Sequence, residues 1–301
     1  VKVENPKISI IIPSYNPGEM ILDTMNSLVN QKYKNFEVIL SDDGSTDNTI
    51  ELVEGYLDRL DIVFVHNQNS GGPAKPRNAG IKKARGEWIA FLDHDDSWSD
   101  NKLEEVSTYF ENQDVIYHQL EIINNKRESR GIVNTRKLSG DCFTDLIVNG
   151  NAIANSGAMV KKELIERAGY IEEDKSFIAG EDLDLWIKVS RLSSKFLYIE
   201  KILGQYRLEP GQNLSESSIK IIDVHKIIYY RYKEHLNLRK QRFAEANISY
   251  TSARIFHKLN MFKEAGRAYI SSLGSNILSV KLKALVGLLL LSLKLIRIKL
   301  Q

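Results

Sequence analysis

Trp88-Ile89-Ala90-Phe91-Leu92-Asp93-His94-Asp95-Asp96 joins five apolar residues to three carboxylates. An apolar run of this length, closed by a polar turn, reads as a strand at the centre of a sheet. The carboxylates then leave from its carboxyl end. Toward the N-terminus, residues 8–12 form a buried-strand run ended by Pro13, and residues 19–30 carry helical spacing through Met20, Leu22, Met25, Leu28 and Val29. Residues 36–40 are a second strand, residues 47–60 a second helix capped by Ser45 or Asp47, and residues 62–65 a third strand. A glycine- and proline-rich loop, 69–76, leads into a helix around 78–84. This β-α-β-α order predicts an α/β fold with a mainly parallel sheet and helices on both faces. Such sheets bind ligands beyond the carboxyl ends of their strands, where the acidic clusters lie.

Downstream, residues 115–123 read as a strand, 141–148 as a short helix, and 156–160 as a strand turning into a helix over 161–168. Residues 180–190 read as a helix opening with Glu181, Asp182 and Asp184, acids suited to the positive end of the helix dipole. After about residue 215 only helical patterns rich in Lys, Leu and Ile follow, so the expected division is a catalytic domain over 1–214 and a helical region over 215–301.

With 43% apolar residues among 301, the chain can build a substantial core, and a net charge of +2 gives no reason to expect a nucleic-acid partner. The single cysteine, Cys142, excludes an internal disulfide framework and reads as a small buried hydrophobe in a reducing compartment. The opening VKVENPKISIII has no secretory-signal pattern, so the expected address is cytoplasmic.

Four segments carry candidate chemistry. Ser41-Asp42-Asp43-Gly44-Ser45 follows the second strand and reads either as a turn and helix cap or as carboxylates accepting hydrogen bonds from a base or ribose. Asp93-His94-Asp95-Asp96 crowds three acids that repel one another; hard Mg²⁺ or Mn²⁺ reverses that penalty and shares oxygen ligands with phosphates. His94 points away from its neighbours if the strand continues, and reads as a bystander. Glu181-Asp182 is either a structural cap or the source of a general base that takes a proton from an attacking hydroxyl. In the 69–78 loop, NSGGPAKPRN, the glycines let backbone approach a ligand, while Lys75 and Arg77 can meet phosphate or base.

Taken in order, Ile10-Ile11-Ile12-Pro13-Ser14-Tyr15-Asn16, SDDGSTDNT, GGPAKPRNAGIKKARGEWIAFLDHDD and AGEDLDLW resemble the inverting glycosyltransferases of family 2, which have the GT-A fold. The resemblance covers roughly residues 7–215. It implies transfer of a sugar from a nucleotide diphosphate sugar, typically UDP-linked, to an acceptor hydroxyl. It also implies that Pro13 and Tyr15 flank the base, Asp43 hydrogen-bonds it, and Arg77 lies near the nucleotide. Asp93-His94-Asp95 is similar to the family's DXD motif, so Asp93 would sit near the ribose and Asp95 would take a divalent metal, Mn²⁺ or Mg²⁺, bridging the diphosphate. Asp182 would be the catalytic base, and Ser156-Gly157-Ala158-Met159 resembles the stretch bordering the acceptor. One departure is Tyr206-Arg207-Leu208-Glu209, where many members have histidine at the last position. Glutamate there is an oxygen ligand that adds negative charge beside a diphosphate.

Two other enzyme classes lack their loops: residues 12–18 offer no glycine-rich, Arg- and Lys-bearing nucleotidyltransferase loop, and no GxxxxGK[ST] occurs. A non-catalytic binding protein on the same fold is opposed by the presence of Asp43, Asp93, Asp95 and Asp182. The acceptor implied is a glycan of a bacterial surface polysaccharide, lipid-linked or otherwise, or a glycoprotein. At the far end, residues 258–273 read as a helical hairpin, and the segment 280–300, VKLKALVGLLLLSLKLIRIKL, holds an uncharged run of ten residues flanked by basic ones. That is well short of the roughly 20 residues that span a bilayer. It reads either as a helix lying in an anionic membrane surface or as one docked on protein, a homo-oligomer included.

Overall fold

The computed structural model describes residues 1–208, 219–274 and 278–299. Glu209 therefore lies outside the described residues, as does the start of the helical region expected after about residue 215. The chain divides into two compact units, Val1–Cys142 with Asn151–Gln212 and Phe143–Gly150 with Asn213–Gln301.

The first unit runs β1 (Ile8–Ser14), α1 (Met20–Val29), β2 (Phe36–Asp42), α2 (Thr49–Glu54), β3 (Ile62–His66), α3 (Ala74–Lys83) and β4 (Trp88–Phe91). β1, β2 and β4 are buried along their whole length, which is why they read as near-continuous apolar runs. β1 pairs in parallel with both β2 and β4, and β3 adds in parallel on the far side of β2. Register brings Ser14 opposite Asp42 and Ile11 opposite Phe91, so β1, β2 and β4 end together and the acidic turns after β2 and β4 flank the 15–18 turn after β1. Trp88 stacks on Phe110 at 4.6 Å between ring centres, and Phe91 meets Trp186 edge-on at 6.0 Å. α3 lies so close to the sheet that a Cβ at Gly80 would come within 2.9 Å of Ile11 Cγ2.

There follow β5 (Ser97–Trp98), α4 (Lys102–Ser107), β6 (Val115–Ile123), β7 (Ser129–Ile132), α5 (Cys142–Asn149), β8 (Ala158–Lys161), α6 (Lys162–Arg167), α7 (Glu181–Ser190) and β9 (Phe196–Arg207). The sheet order is β3-β2-β1-β4-β8-β6-β9-β5, with β7 on β6. β8 runs antiparallel to β4 and β6, and β9 runs parallel to β6. The expected α/β architecture is thus present: a mixed, mainly parallel sheet flanked by helices, with an α-helical C-terminal region. Several details differ from the sequence reading, in which β5, α4 and β7 are absent and the third helix begins around residue 78, four residues after Ala74. Residues 155–157 form a short 3₁₀ turn, so the strand starts at Ala158. The strand β9 is additional; its apolar pattern is broken by Glu200, Lys201 and Gly204, and its pairing with β6 shifts register twice.

In the second unit, α8 (Ile219–Tyr232), α9 (Leu238–Lys258), α10 (Phe262–Leu273) and α11 (Leu278–Lys299) follow one another. Phe143 of α5 meets Tyr232 edge-on at 6.0 Å, and Asn247 Nδ2 donates to the Val148 carbonyl at 2.9 Å. The turn between α9 and α10 is set by Asn260, at φ +59°. Its N–H donates to His257 O at 3.2 Å while Met261 N–H donates to Phe256 O at 2.8 Å, the paired bonds of a Schellman ending. Ala253, Ala265, Tyr269, Ala284 and Leu291 pack α9, α10 and α11 together. No described helix is long and apolar enough to cross a membrane.

Candidate active site

At the end of β1, Pro13 is buried while Tyr15 is 47% exposed. At the end of β2 the two adjacent aspartates divide their work. Asp42 Oδ2 accepts from Gly44 N–H at 3.1 Å and Ser45 N–H at 3.0 Å, closing its own turn, in which Gly44 sits at φ +83°. Asp43 is buried and turns the other way, accepting from Ser70 N–H at 2.9 Å and from the Ser70 hydroxyl at 3.0 Å. It therefore ties β2 to the 69–78 loop. A carboxylate has about four lone-pair positions, so Ser70 leaves room for a ligand donor.

Beyond β4, the Asp93–Asp96 turn is held by backbone and side-chain bonds from several elements. Ser156 Oγ accepts from Asp93 N–H at 3.1 Å, and Trp98 Nε1 donates to Ser156 O at 2.7 Å. The Thr24 hydroxyl lies 2.8 Å from both the His94 and Asp96 carbonyls. His94 Nδ1 lies 3.1 Å from the Pro13 carbonyl, facing β1. Arg207, at the end of β9, fixes the far side. Its N–H donates to Asp96 Oδ1 at 2.9 Å, its Nε to Asp95 O at 3.2 Å, and its guanidinium pairs with Asp23 at 2.6 Å.

Electrostatics sort these acids. Burial, followed by the neighbouring Asp95 and Asp93, pushes Asp96 well above the usual carboxylate range. Burial also raises Asp95; Asp93 adds to the shift, while His94 and Arg207 oppose it. Among the described residues no group of three or more His, Cys, Asp or Glu is placed to hold a metal ion. Asp93 is engaged by an arginine and Asp96 Oδ1 by the Arg207 backbone, and the Asp95 carboxylate is the candidate oxygen donor of the turn. This donor set is no all-protein cage. It suits a hard cation that completes its shell with phosphate and water.

Arg77 joins the motifs. It is 4% exposed; one guanidinium nitrogen lies 2.7 Å from Asp93 Oδ1 and another 2.8 Å from Glu181 Oε1. The Asn155 amide oxygen, oriented to accept, lies 3.2 Å from Nε. Burial works against the Arg77 cation, but Asp93 and Glu181 outweigh it and push its pKa up. Glu181 also accepts from Ala179 N–H at 2.9 Å and Gly180 N–H at 3.1 Å, so it is a structural member of the site. Its neighbour Asp182 is half-buried, accepting from Asn151 Nδ2 at 2.8 Å and from Leu183 N–H at 2.7 Å. Burial first, then Glu181, pushes the Asp182 carboxyl up to about 6.

A cavity of about 310 Å³ opens between the 69–75 loop and residues 172–178, with Ser70, Lys75, Lys175 and Glu181 in its wall. It spans the Asp43 partner on one side and the Arg77 partner on the other. Residues 9–166 match the family described as Glycosyl transferase family 2, more than half of the chain. The chain belongs to that family.

This family-2 chain is 35% identical over 190 residues to an uncharacterized glycosyltransferase of Rickettsia bellii, covering 62% of the chain and 27% of the relative. It is 37% identical over 125 residues to the Staphylococcus aureus poly(ribitol-phosphate) beta-N-acetylglucosaminyltransferase TarS, covering 40% of the chain and 22% of TarS. It thus spans well under half the length of either relative. The solved S. aureus TarS 1–349, in complex with UDP-GlcNAc, superposes with a TM-score of 0.63 at 22% identity, over 91% of this chain and 82% of that one. The mannosyltransferase PcManGT of Pyrobaculum calidifontis, in complex with GDP-Man and Mn²⁺, gives 0.62 at 17% identity, over 95% and 80%. At these identities the two structures speak for the fold.

Of the residues singled out in the sequence, Arg77, Asp93 and Glu181 are in direct contact, Asp182 follows Glu181 but pairs with Asn151 and Leu183, and Ser70, the partner of Asp43, lines the cavity that Glu181 also lines. Ser70, Asn151 and Arg207 were not singled out as site-forming. Arg207 had one usable signal, the Tyr206-Arg207 pair ending the family-like region. Asn151 had none, since its partner lies 31 residues away; Ser70 lies in the 69–78 loop that the sequence marks, but its pairing with Asp43, 27 residues away, is not visible there.

Proposed function

We propose that this chain is an inverting glycosyltransferase that moves a sugar from a nucleotide diphosphate sugar, a UDP-sugar, to an acceptor hydroxyl. The observation that carries the reading is the Arg77 bridge, because it joins the acid turn after β4 to the helix start that presents Asp182. Pro13 and Tyr15 flank the base, Asp43 accepts from it, and Asp93 faces the ribose. Asp95 would hold Mn²⁺ or Mg²⁺ together with the diphosphate, and a cation bound there would supply charge stabilisation to the leaving group. Asp182 takes the proton of the acceptor hydroxyl as it attacks the anomeric carbon from the face opposite the diphosphate. The carbon acquires oxocarbenium character as the old bond lengthens, and its configuration inverts.

A base with a pKa near 6 is ionised at neutral pH and still a good proton acceptor. Since the ionised form is active, kcat/KM is expected to rise about tenfold per pH unit below about pH 6 and level off above it. A flat profile between pH 5 and 7 (about one unit either side of that value) removes Asp182 from the role. EDTA is expected to abolish transfer and added Mn²⁺ or Mg²⁺ to restore it; full activity in chelator contradicts the metal assignment. A panel of nucleotide sugars, screened for donor hydrolysis, tests the reaction class and selects the sugar.

For the acceptor, the likeness to an enzyme named for poly(ribitol-phosphate) supports a bacterial surface glycan over a glycoprotein. The C-terminal helices are read as the part that holds the enzyme at its place of work, peripherally on the cytoplasmic face of a membrane or against a second copy.

A further inference from the structure

The strongest feature outside the catalytic unit is the surface of α11. Val280, Ala284 and Leu291 are buried on one side of it, and Gly287 lies so close to Tyr269 that a Cβ there would meet the ring at 2.3 Å. That side is fully used in packing. Leu282, Leu285, Val286, Leu289, Leu290 and Leu293 are each more than half exposed. At about 100° per residue these six fall within an arc of roughly 140°, opposite the packed side. Single exposed leucines are ordinary on a protein surface, but a contiguous stripe of large aliphatics marks an interaction face.

The charges on the helix select the partner. By the same spacing, Lys283 and Lys294 border the apolar arc on one side and Lys281 on the other. Lys294 Nζ donates to Asn260 Oδ1 at 2.9 Å, which fixes it at that border. Residues 278–299 hold five basic residues and no acid. Two copies meeting through this face would set lysine rows against each other with no carboxylate on the helix to pair them. An anionic headgroup layer pairs both rows while the aliphatics enter the acyl boundary.

We propose that α11 lies flat on an anionic lipid bilayer, with the Leu282–Leu293 arc inserted and Lys281, Lys283 and Lys294 at the headgroups. This commits the attachment reading of the C-terminal helices to a membrane, and it is independent of the catalytic reading because vesicle binding needs no turnover. The test is sedimentation of the full chain with phosphatidylcholine vesicles, with and without about 30% phosphatidylglycerol. Binding is expected to the anionic vesicles, at least about tenfold weaker to phosphatidylcholine alone, and weakened by salt. Leu285→Glu with Leu289→Glu is expected to abolish binding while helical circular dichroism and donor hydrolysis stay at wild-type levels. Lys281→Gln with Lys283→Gln, which leaves the apolar arc intact, is expected to lose most of the preference for anionic vesicles. The proposal is overturned if the unaltered chain ignores anionic vesicles or binds both compositions equally. It is also overturned if light scattering shows a lipid-free dimer that the glutamate pair dissociates.

Discussion

Asp182→Asn is expected to lower kcat by about 10²–10⁴ while the donor KM stays within about threefold of wild type. The replacement keeps the shape of the side chain, and its single amide oxygen can still accept from Leu183 N–H, while its NH2 group takes the place of the oxygen that accepted from Asn151. What it removes is a proton acceptor. The same variant should lose the rise in activity centred near pH 6. Stability should move the other way. Because the folded carboxyl is raised to about 6, its contribution is full below the unfolded carboxylate pKa and is lost as pH rises through about 6. Above that pH the asparagine variant should therefore melt at or above the wild-type temperature. Lower activity with equal or greater stability is the signature of a residue kept for chemistry. Near-normal turnover, or a melting point well below wild type at pH 8, assigns Asp182 to structure.

Arg77→Met should be damaging in a different manner, lowering both stability and donor affinity. The guanidinium is buried between Asp93 and Glu181, and methionine leaves both acids uncompensated. Breaking a buried pair in this way costs about 3–5 kcal/mol; the lower end is expected here, because the Asp93 side chain is 30% exposed. Arg77→Lys keeps the charge but cannot reach both carboxylates with a planar fork, so it should fall between methionine and wild type. Urea unfolding and donor hydrolysis on the same samples check this. A methionine variant with wild-type midpoint and KM means that the two acidic motifs do not depend on their bridge.

Much of the first unit was legible because burial on both faces leaves a plain trace in the residues: Ile8 to Ile12 and Trp88 to Leu92 have few other readings. The strand ends then placed Asp43 and Asp93 at one edge without any knowledge of their contacts. β9 was not legible, since it is partly exposed and its pairing slips register against β6. The bridge itself could not be read from spacing. Arg77 meets one acid 16 residues away and another 104 residues away, and only the folded sheet decides that both lie within reach. Arg207 closes on Asp96 from a distance of 111 residues for the same reason. In the second unit the apolar segment of α11 was visible, but which side of it packs was settled by Tyr269 against Gly287.

A crystal structure with UDP and Mn²⁺ bound tests the convergence of these groups most directly. The expected result has the base between Pro13 and Tyr15 with Asp43 accepting from it, the cation about 2.1 Å from Asp95, and the Asp182 carboxylate facing open space beyond the β-phosphate. A nucleotide bound away from Asp43 and Asp95, or an Asp182 side chain facing a different surface from the diphosphate, contradicts the account.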